Sequence, residues 1–355
     1  MSRARLLRWY DAEARDLPWR RTRDPYAIWV SEIMLQQTRV ETVIPYWTRF
    51  LERFPTAAAL AHADEDEVLA HWSGLGYYRR ARLLHRGVRE VVERYGGEVP
   101  EDPDARRSLP GVGRYTAGAI GSIAFGRAEP IVDGNVARVL SRLRGIDTPL
   151  GKAVTDRALW AEATALVEGP RPGDLNQALM ELGARVCTPA RPACDACPLR
   201  ADCAARADDR VDELPVPRKK KPPRRVRLAA VVALRGGDRV ALLKGEGTLF
   251  GGLWATPTAQ AHGRRAARAA LRAAGLRARL DAHPRGRLDH VLSHRHLDVQ
   301  VWRAVAASLE PADGRRLVPV DELDRLGTSK LTRRVLAYAV DVPGEPAPTL
   351  RLPGV

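Results

Sequence analysis

Apolar positions recur every third or fourth residue through Ala58 to Ala70, Arg79 to Tyr95 and Thr155 to Val167, the period of helices with one buried face. Punctuation such as Gly96-Gly97 and Gly169-Pro170 separates these runs. No alternating pattern competes with them before about residue 205. Beyond that point the period changes. Leu228 to Leu234 and Arg239 to Leu243 are short apolar runs, partly β-branched, joined by Arg235-Gly236-Gly237-Asp238, a hairpin signal. Gly263 to Leu276 returns to helical spacing, and Val291 to Val305 holds another strand-like stretch. The pattern predicts a multidomain chain, all-α first and α+β second, and 355 residues suffice for both. No internal repeat of solenoid length is present.

Between the two regions, Val216 to Arg227 holds seven basic residues, three prolines and no acid. Such a stretch cannot pack as a core element, so it predicts a solvated linker, with phosphate contact or a nuclear-import address as further roles. The expected domains are therefore residues 1–210, a basic linker 211–227, and 228–355.

Apolar residues make up 45% of the chain, enough for real cores. Lys and Arg number 58 against 43 Asp and Glu, giving a net charge of +15 and a pI near 10.3. That balance implies a polyanionic partner, most often nucleic acid. No run of 18 apolar residues occurs, and Met1-Ser2-Arg3-Ala4-Arg5 does not open a secretory segment. Membrane insertion and export are not expected; a cytoplasmic, nucleoid-associated monomer is.

All four cysteines fall within 17 residues, spaced Cys187-x6-Cys194-x2-Cys197-x5-Cys203. Without export signals this favours a metal centre over a disulfide scaffold. Zinc usually takes two knuckle pairs and only one is present, while a four-thiolate iron–sulfur cluster also fits. Spacing alone leaves cluster, zinc and redox disulfides open.

Three further segments carry candidate chemistry. In Ser108-Leu109-Pro110-Gly111-Val112-Gly113-Arg114-Tyr115, Gly111 and Gly113 permit a tight turn whose N–H groups can approach a phosphate. A plain helix–turn–helix corner would read the same way. Asp133 ends the apolar run Ile131-Val132 and precedes a helix, so it is a helix cap, and the helix macrodipole favours its ionised form. Glu32 is the only charge from Ile28 to Leu35, and a carboxyl held among Ile, Met and Trp should have a raised pKa, suiting a general acid. Gln36, Gln37 and Thr38 then form a polar cluster fit to bond base edges.

Taken together, the glycine hairpin, the downstream Asp and the cysteine loop resemble the helix-hairpin-helix DNA glycosylase superfamily, in its iron–sulfur branch. The resemblance covers nearly the whole chain and implies a 4Fe-4S cluster on Cys187, Cys194, Cys197 and Cys203. Within the branch, endonuclease III types carry a nucleophilic lysine just after the hairpin; here that position is Tyr115, and no lysine precedes Lys152. The segment Trp29 to Thr38 and the additional C-terminal domain are similar instead to the MutY-type adenine glycosylases. That likeness implies that Glu32 protonates the adenine leaving group and Asp133 stabilises the oxocarbenium-like sugar, with Tyr115 and Asn135 bracing the pair. It further implies that Gln37, Thr38, Leu75 and Tyr77 wedge into the duplex, and that Trp19 and Arg20 lie beside the extruded adenine. The partner it implies is double-stranded DNA with adenine opposite 8-oxoguanine or guanine.

Lys244 to Pro257, with Gly251-Gly252-Leu253-Trp254, resembles the glycine-rich region of the Nudix fold. A working Nudix hydrolase needs a helix of glutamates to hold magnesium. Arg268 to Leu276 offers Ala and Arg there, so pyrophosphatase activity is not expected. Adenine glycosylases carry a Phe-Ser-His loop that senses 8-oxoguanine; this chain has Leu292-Ser293-His294, an aliphatic residue where the family has an aromatic. His290, His294 and His296 lie close in sequence, but their hairpin spacing does not favour a metal site.

Overall fold

A computed structural model of the chain describes residues 3–218, 222–245, 250–309, 312–342 and 345–346. Lys219 to Lys221 of the expected linker, and residues 246–249 of the glycine-rich stretch, lie outside the described residues. In chain order the helices of the first part are α1 (Arg3–Glu13), α2 (Pro25–Leu35), α3 (Val40–Arg53), α4 (Ala57–His62), α5 (Glu65–His71), α6 (Arg79–Tyr95), α7 (Pro103–Ser108), α8 (Arg114–Ile123), α9 (Gly134–Arg144), α10 (Ala153–Val167), α11 (Pro172–Arg185) and α12 (Ala204–Ala207). The apolar run from Ala58 to Ala70 becomes two helices, α4 and α5, because Ala63-Asp64 interrupts it, with Asp64 at the start of the second.

Local chemistry starts and stops these helices. Asp24 caps α2 by accepting from Tyr26 N and Ala27 N, with Pro25 in the first turn. Tyr26 to Met34 are then buried without a break, so α2 is enclosed on all sides and carries Glu32 into the interior. Asp133 caps α9 through Val136 N, and Gly145 ends it in the left-handed region. The hairpin between α7 and α8 needs its two glycines differently. Gly111 has φ +80°, and a Cβ there would meet the Leu83 Cβ at 2.8 Å, whereas Gly113 is extended with nothing within 4 Å.

The strands follow as β1 (Arg224–Arg235), β2 (Arg239–Lys244), β3 (Trp254–Ala255) and β4 (Thr258–Ala259), then helix α13 (Arg264–Ala273), β5 (Leu276–Leu280), β6 (Gly286–Val291), β7 (Arg295–Leu309), β8 (Arg315–Pro319) and helix α14 (Lys330–Leu336). β1 and β2 pair antiparallel at Leu234 and Val240, as the Gly236-Gly237 turn predicts. The helix expected to reach Leu276 ends at Ala273, and Leu276 opens β5. β1 lies parallel to β7, which also pairs with β5 and β6. Strand alternation then divides the core. Ala229, Val231, Ala233 and Trp302 face α13, while Leu228, Ala230, Val232 and Val299 pack with Leu331, Val335 and Leu336 of α14.

The chain forms two compact units, Met1–His62 with Leu83–Lys220, and Ala63–Arg82 with Lys221–Val355. This differs from the division expected from sequence at 63–82, which packs inside the second unit. There Tyr78 Oη donates to the Thr328 carbonyl at 2.8 Å and Lys244 Nζ pairs with Asp66 at 2.8 Å. The linker is also shorter than expected. Arg142 Nε donates to the carbonyls of Val211 and Leu214 at 3.0 and 2.8 Å, Leu214 is buried, and Leu150 N reaches the Val216 carbonyl at 3.0 Å. Residues 211–216 are thus docked on the first unit, and Arg224 to Arg227 already belong to β1.

Candidate active site

In the first unit a cavity of about 530 Å³ is lined by Trp19, Arg20, Glu32, Gln37, Thr38, Tyr115, Asp133 and Asn135, eight residues singled out in the sequence. They converge from five places: the turn before α2, α2 itself, the residues after it, the start of α8 and the start of α9. Arg15, Gln177, Met180 and Glu181 are also part of its wall. A cavity of similar size, about 500 Å³, lies in the second unit, but its described lining offers one carboxylate, Asp313, and no facing partner.

Glu32 is 4% exposed and takes one hydrogen bond, from Tyr115 Oη to Oε2 at 2.6 Å. Burial pushes its carboxyl up to about 7; the Tyr115 bond opposes this, the neighbouring Asp133 adds to it and Arg20 opposes it. A neutral Glu32 can therefore accept from Tyr115 on one oxygen and donate from the other. Tyr115 itself is pushed well above the usual phenol range by burial first, so it stays a donor.

Asp133 is half-buried. Its Oδ1 accepts from Val136 N at 2.7 Å and its Oδ2 from Asn135 Nδ2 at 3.2 Å. The cap is present as expected, yet burial outweighs it and raises the carboxyl, with the Val136 and Asn135 donors pulling the other way. The helix N-terminus tempers the shift without reversing it. Being less buried and better supplied with donors, Asp133 is the better anion of the two and Glu32 the better acid.

Behind Asp133 runs a chain of bonds. Arg138 Nη2 donates to Asn135 Oδ1 at 2.9 Å and to the Gly183 carbonyl at 2.8 Å, and its Nε to the Cys187 carbonyl at 2.7 Å. Asn135 is thereby held with its amide toward Asp133. Trp19 is buried and meets Trp47 edge-on at 6.1 Å. Arg20 is tied to Glu181 at 2.8 Å, and Glu181 also takes Arg15 at 2.7 Å. Sequence reasoning missed Glu181. Its signal was the one that found Glu32: a carboxylate on the apolar side of a helix, α11.

The remaining predicted residues lie elsewhere. Gly111 and Gly113 form the α7–α8 turn and do not line the cavity. Gln37 and Tyr77 both adopt positive φ, +59° and +48°, which is uncommon off glycine and marks built-in strain. Tyr77 is 47% exposed, Leu75 only 7%, so Leu75 does not stand out to solvent as a wedge would. Within the second unit Tyr77 Oη and Ser293 Oγ lie 2.6 Å apart, joining a predicted wedge to the predicted lesion loop. That loop is the turn between β6 and β7: Ser293 and His294 are exposed, whereas Leu292 packs against the sheet core. Val291, 68% exposed, presents the apolar surface instead.

The four cysteines are half-buried free thiols. Arg142 Nη1 lies 3.4 Å from Cys187 Sγ, and Cys203 Sγ 3.5 Å from the Arg142 carbonyl. The Cys197 thiol is pushed up to about 11, by burial first, with the charges of Cys187, Cys203 and Cys194 adding to it. Thiol side chains brought this near to Cys197 suit a centre of positive charge, which binds them as thiolates. Among the described residues no three His, Cys, Asp or Glu are grouped to hold a single metal ion. The same result covers the three histidines near the lesion loop. On α13 there is no carboxylate to hold magnesium.

Comparison with known proteins supports this picture. Residues 30–163 match the HhH-GPD superfamily of base excision DNA repair proteins, and residues 229–338 match the NUDIX domain. The chain is 54% identical over 213 residues to the adenine DNA glycosylase of Homo sapiens, covering 58% of this chain and 39% of that protein. It is 39% identical over 217 residues to that of Buchnera aphidicola subsp. Schizaphis graminum, covering 61% of this chain and 62% of that protein. It thus spans less than two thirds of the curated relatives it matches. The solved structure of a thermostable thymine-DNA glycosylase superposes with a TM-score of 0.53 at 31% identity, over 58% of this chain and 95% of that one. Among the described residues no helix is long and apolar enough to cross a membrane. A helical unit that reproduces nearly the full length of a solved glycosylase, and in which the hairpin turn and the carboxylate cavity lie together, means that the chain belongs to the HhH-GPD superfamily of base excision DNA repair proteins, with a Nudix domain toward its C-terminus.

Proposed function

We propose that the chain is a monofunctional adenine DNA glycosylase, removing adenine opposite 8-oxoguanine or guanine and leaving an abasic site. The observation that carries the reading is the carboxyl pair in one cavity, Glu32 raised to about 7 and Asp133 held by a capped helix. Adenine stacked in a duplex cannot enter such a cavity, so it must be extruded, at a cost of a few kcal/mol. Once there, Glu32 gives its proton to a ring nitrogen of the base, so that the bond to the sugar breaks with a neutral leaving group. Asp133 faces the cation that develops on the sugar, and water then bonds to the anomeric carbon, giving up a proton to the carboxylate pair and leaving the abasic sugar. With Tyr115 where a nucleophilic lysine would stand, no Schiff base forms and the strand is left intact. One chain carries every group this needs, which supports a monomer.

The exposed Ser293 and His294, with Tyr77 bonded to Ser293, support reading of the opposite base by the Nudix domain. Cys187, Cys194, Cys197 and Cys203 would hold the 4Fe-4S cluster. When bound, it closes the 187–203 loop as a structural cross-link and leaves no position open to substrate. The purified protein is expected to be yellow-brown, with a broad absorbance about 400 nm. A colourless, metal-free or zinc-loaded preparation speaks against the cluster.

The reading is tested with two duplexes, one holding adenine opposite 8-oxoguanine and one holding thymine glycol. Alkali-dependent cleavage of the adenine strand is expected; alkali-independent cleavage of the second duplex alone would defeat it. The single-turnover rate should be level at low pH and fall about tenfold per unit once pH passes about 7, because Glu32 must be protonated to act. A rate that instead rises through that range contradicts the assignment of Glu32 as the acid.

A further inference from the structure

The basic run read from sequence as a linker has a second life in the fold. Its last residues enter β1, and a groove of about 490 Å³ forms there, lined by Arg224, Arg225, Arg227, Arg287, Arg295 and Asp298. The sheet register brings these residues together from three strands. Parallel pairing sets Arg224 beside Arg295 and Arg227 beside Asp298, and β6 flanks β7 from the other side with Arg287 opposite Gln300. Farther along the same face of β1, from Ala229, the residues are small and apolar beneath α13. Gln300, opposite Ala229, accepts from the Gly263 N–H at the start of that helix at 2.7 Å. The arginines thus begin where the helix no longer covers the sheet.

The groove holds more cations than it can neutralise. Asp298 is 4% exposed and its carboxylate takes both Nε and Nη2 of Arg287. Among the described residues no ion pair engages Arg224, Arg225, Arg227 or Arg295. By strand alternation Arg225 and Arg227 share one face of the sheet and Arg224 and Arg295, paired in register, the other, yet all four line the groove, where guanidinium groups so gathered repel one another unless an anion is supplied from outside. The planar fork of arginine fits phosphate oxygens in pairs. Arg225 and Arg227, two residues apart on one strand face, stand about 7 Å from each other, room for each to take its own phosphate. The groove also borders the turn assigned to the lesion, since Arg224 N donates to the His294 carbonyl at 3.0 Å.

We propose that this groove on the second unit seats backbone phosphates of duplex DNA, a docking surface distinct from the catalytic cavity and from the base-reading turn. The proposal rests on the glycosylase reading and adds to it where the Nudix domain grips the strand. The contact is independent of sequence: it sets affinity and register, while Ser293 and His294 face the base.

The test measures affinity of the full chain for a short lesion-free duplex across a series of salt concentrations, for the wild type, Arg225→Ser/Arg227→Ser, Arg225→Lys/Arg227→Lys and Arg295→Ser. Each phosphate contact contributes about 0.9 to the slope of log affinity against log salt. The serine pair should flatten the slope by about 1.8, Arg295→Ser by about 0.9, and the lysine pair should keep it. An unchanged slope in folded Arg295→Ser, or in the folded serine pair, overturns the groove. Failure of the wild type to release adenine would defeat the glycosylase reading instead, and leaves the slopes to be read on their own.

Discussion

Glu32→Gln is expected to lower adenine release by about 10²- to 10⁴-fold, the usual worth of a positioned general acid, while duplex binding persists. Gln keeps the shape of the side chain and can still accept from Tyr115 Oη, which now reaches Glu32 at 2.6 Å. What it lacks is a proton to give. The same substitution should stabilise the fold, and here the sign can be worked out. The carboxyl titrates near 4.5 when unfolded and near 7 when folded, so the folded chain binds the proton more tightly. Stability tied to this group is therefore full below about 4.5 and declines as pH rises to about 7. Above that, the buried carboxylate costs about 3 kcal/mol at 1.36 kcal/mol per unit, a penalty that Gln escapes. Melting temperatures of both forms at pH 8 and pH 5 check this: the Glu32→Gln variant should melt higher than the wild type at pH 8 and about level with it at pH 5. Undiminished adenine release by Glu32→Gln would remove the residue from the chemistry and favour a binding-only damage sensor.

Of the proposed pair, Glu32 was legible in sequence because a lone charge in an apolar helix breaks a local rule, whereas Asp133 at a helix start follows the capping rule and stood out as its partner only through the family likeness. Glu181 broke the first rule as well, but the other polar residues of α11 hid it, and only its bonds to Arg15 and Arg20 show that it is buried for a purpose. Leu292 went astray for another reason. Side chains alternate along a strand, and a likeness to a tripeptide motif carries no register. In the fold the Leu292 side chain turns inward and Val291 outward. The placement of 63–82 had no local signal at all: amphipathic helices do not announce which core they serve, and that choice is made by contacts to residues about 180 to 250 positions away, such as those between Asp66 and Lys244 and between Tyr78 and Thr328. Composition likewise reads a cluster of arginines as solvated chain, whereas strand pairing with β7 brings three of them into a shaped groove.

Asp133→Asn separates the cap that the structure shows from the counter-charge proposed for the same side chain. As a cap it accepts from Val136 N at 2.7 Å, and Asn caps helices about as well as Asp, so the melting temperature should hardly move. As an anion facing a developing cation it has no neutral substitute, and loss of one such electrostatic partner typically costs about 10²- to 10³-fold in rate. A large loss of adenine release with little loss of stability is thus the expected signature, measured by single turnover beside a thermal melt. The pH profile gives a second, independent sign. The Asp133 charge helps to raise Glu32, so removing it should move the alkaline limb of the residual activity to lower pH. Tyr115→Phe should move it the other way, because the Tyr115 bond holds Glu32 down. If Asp133→Asn instead lowered stability and activity in step, with the limb unmoved, Asp133 would be a cap and nothing more, and the cation on the sugar would have to find its counter-charge elsewhere in the cavity.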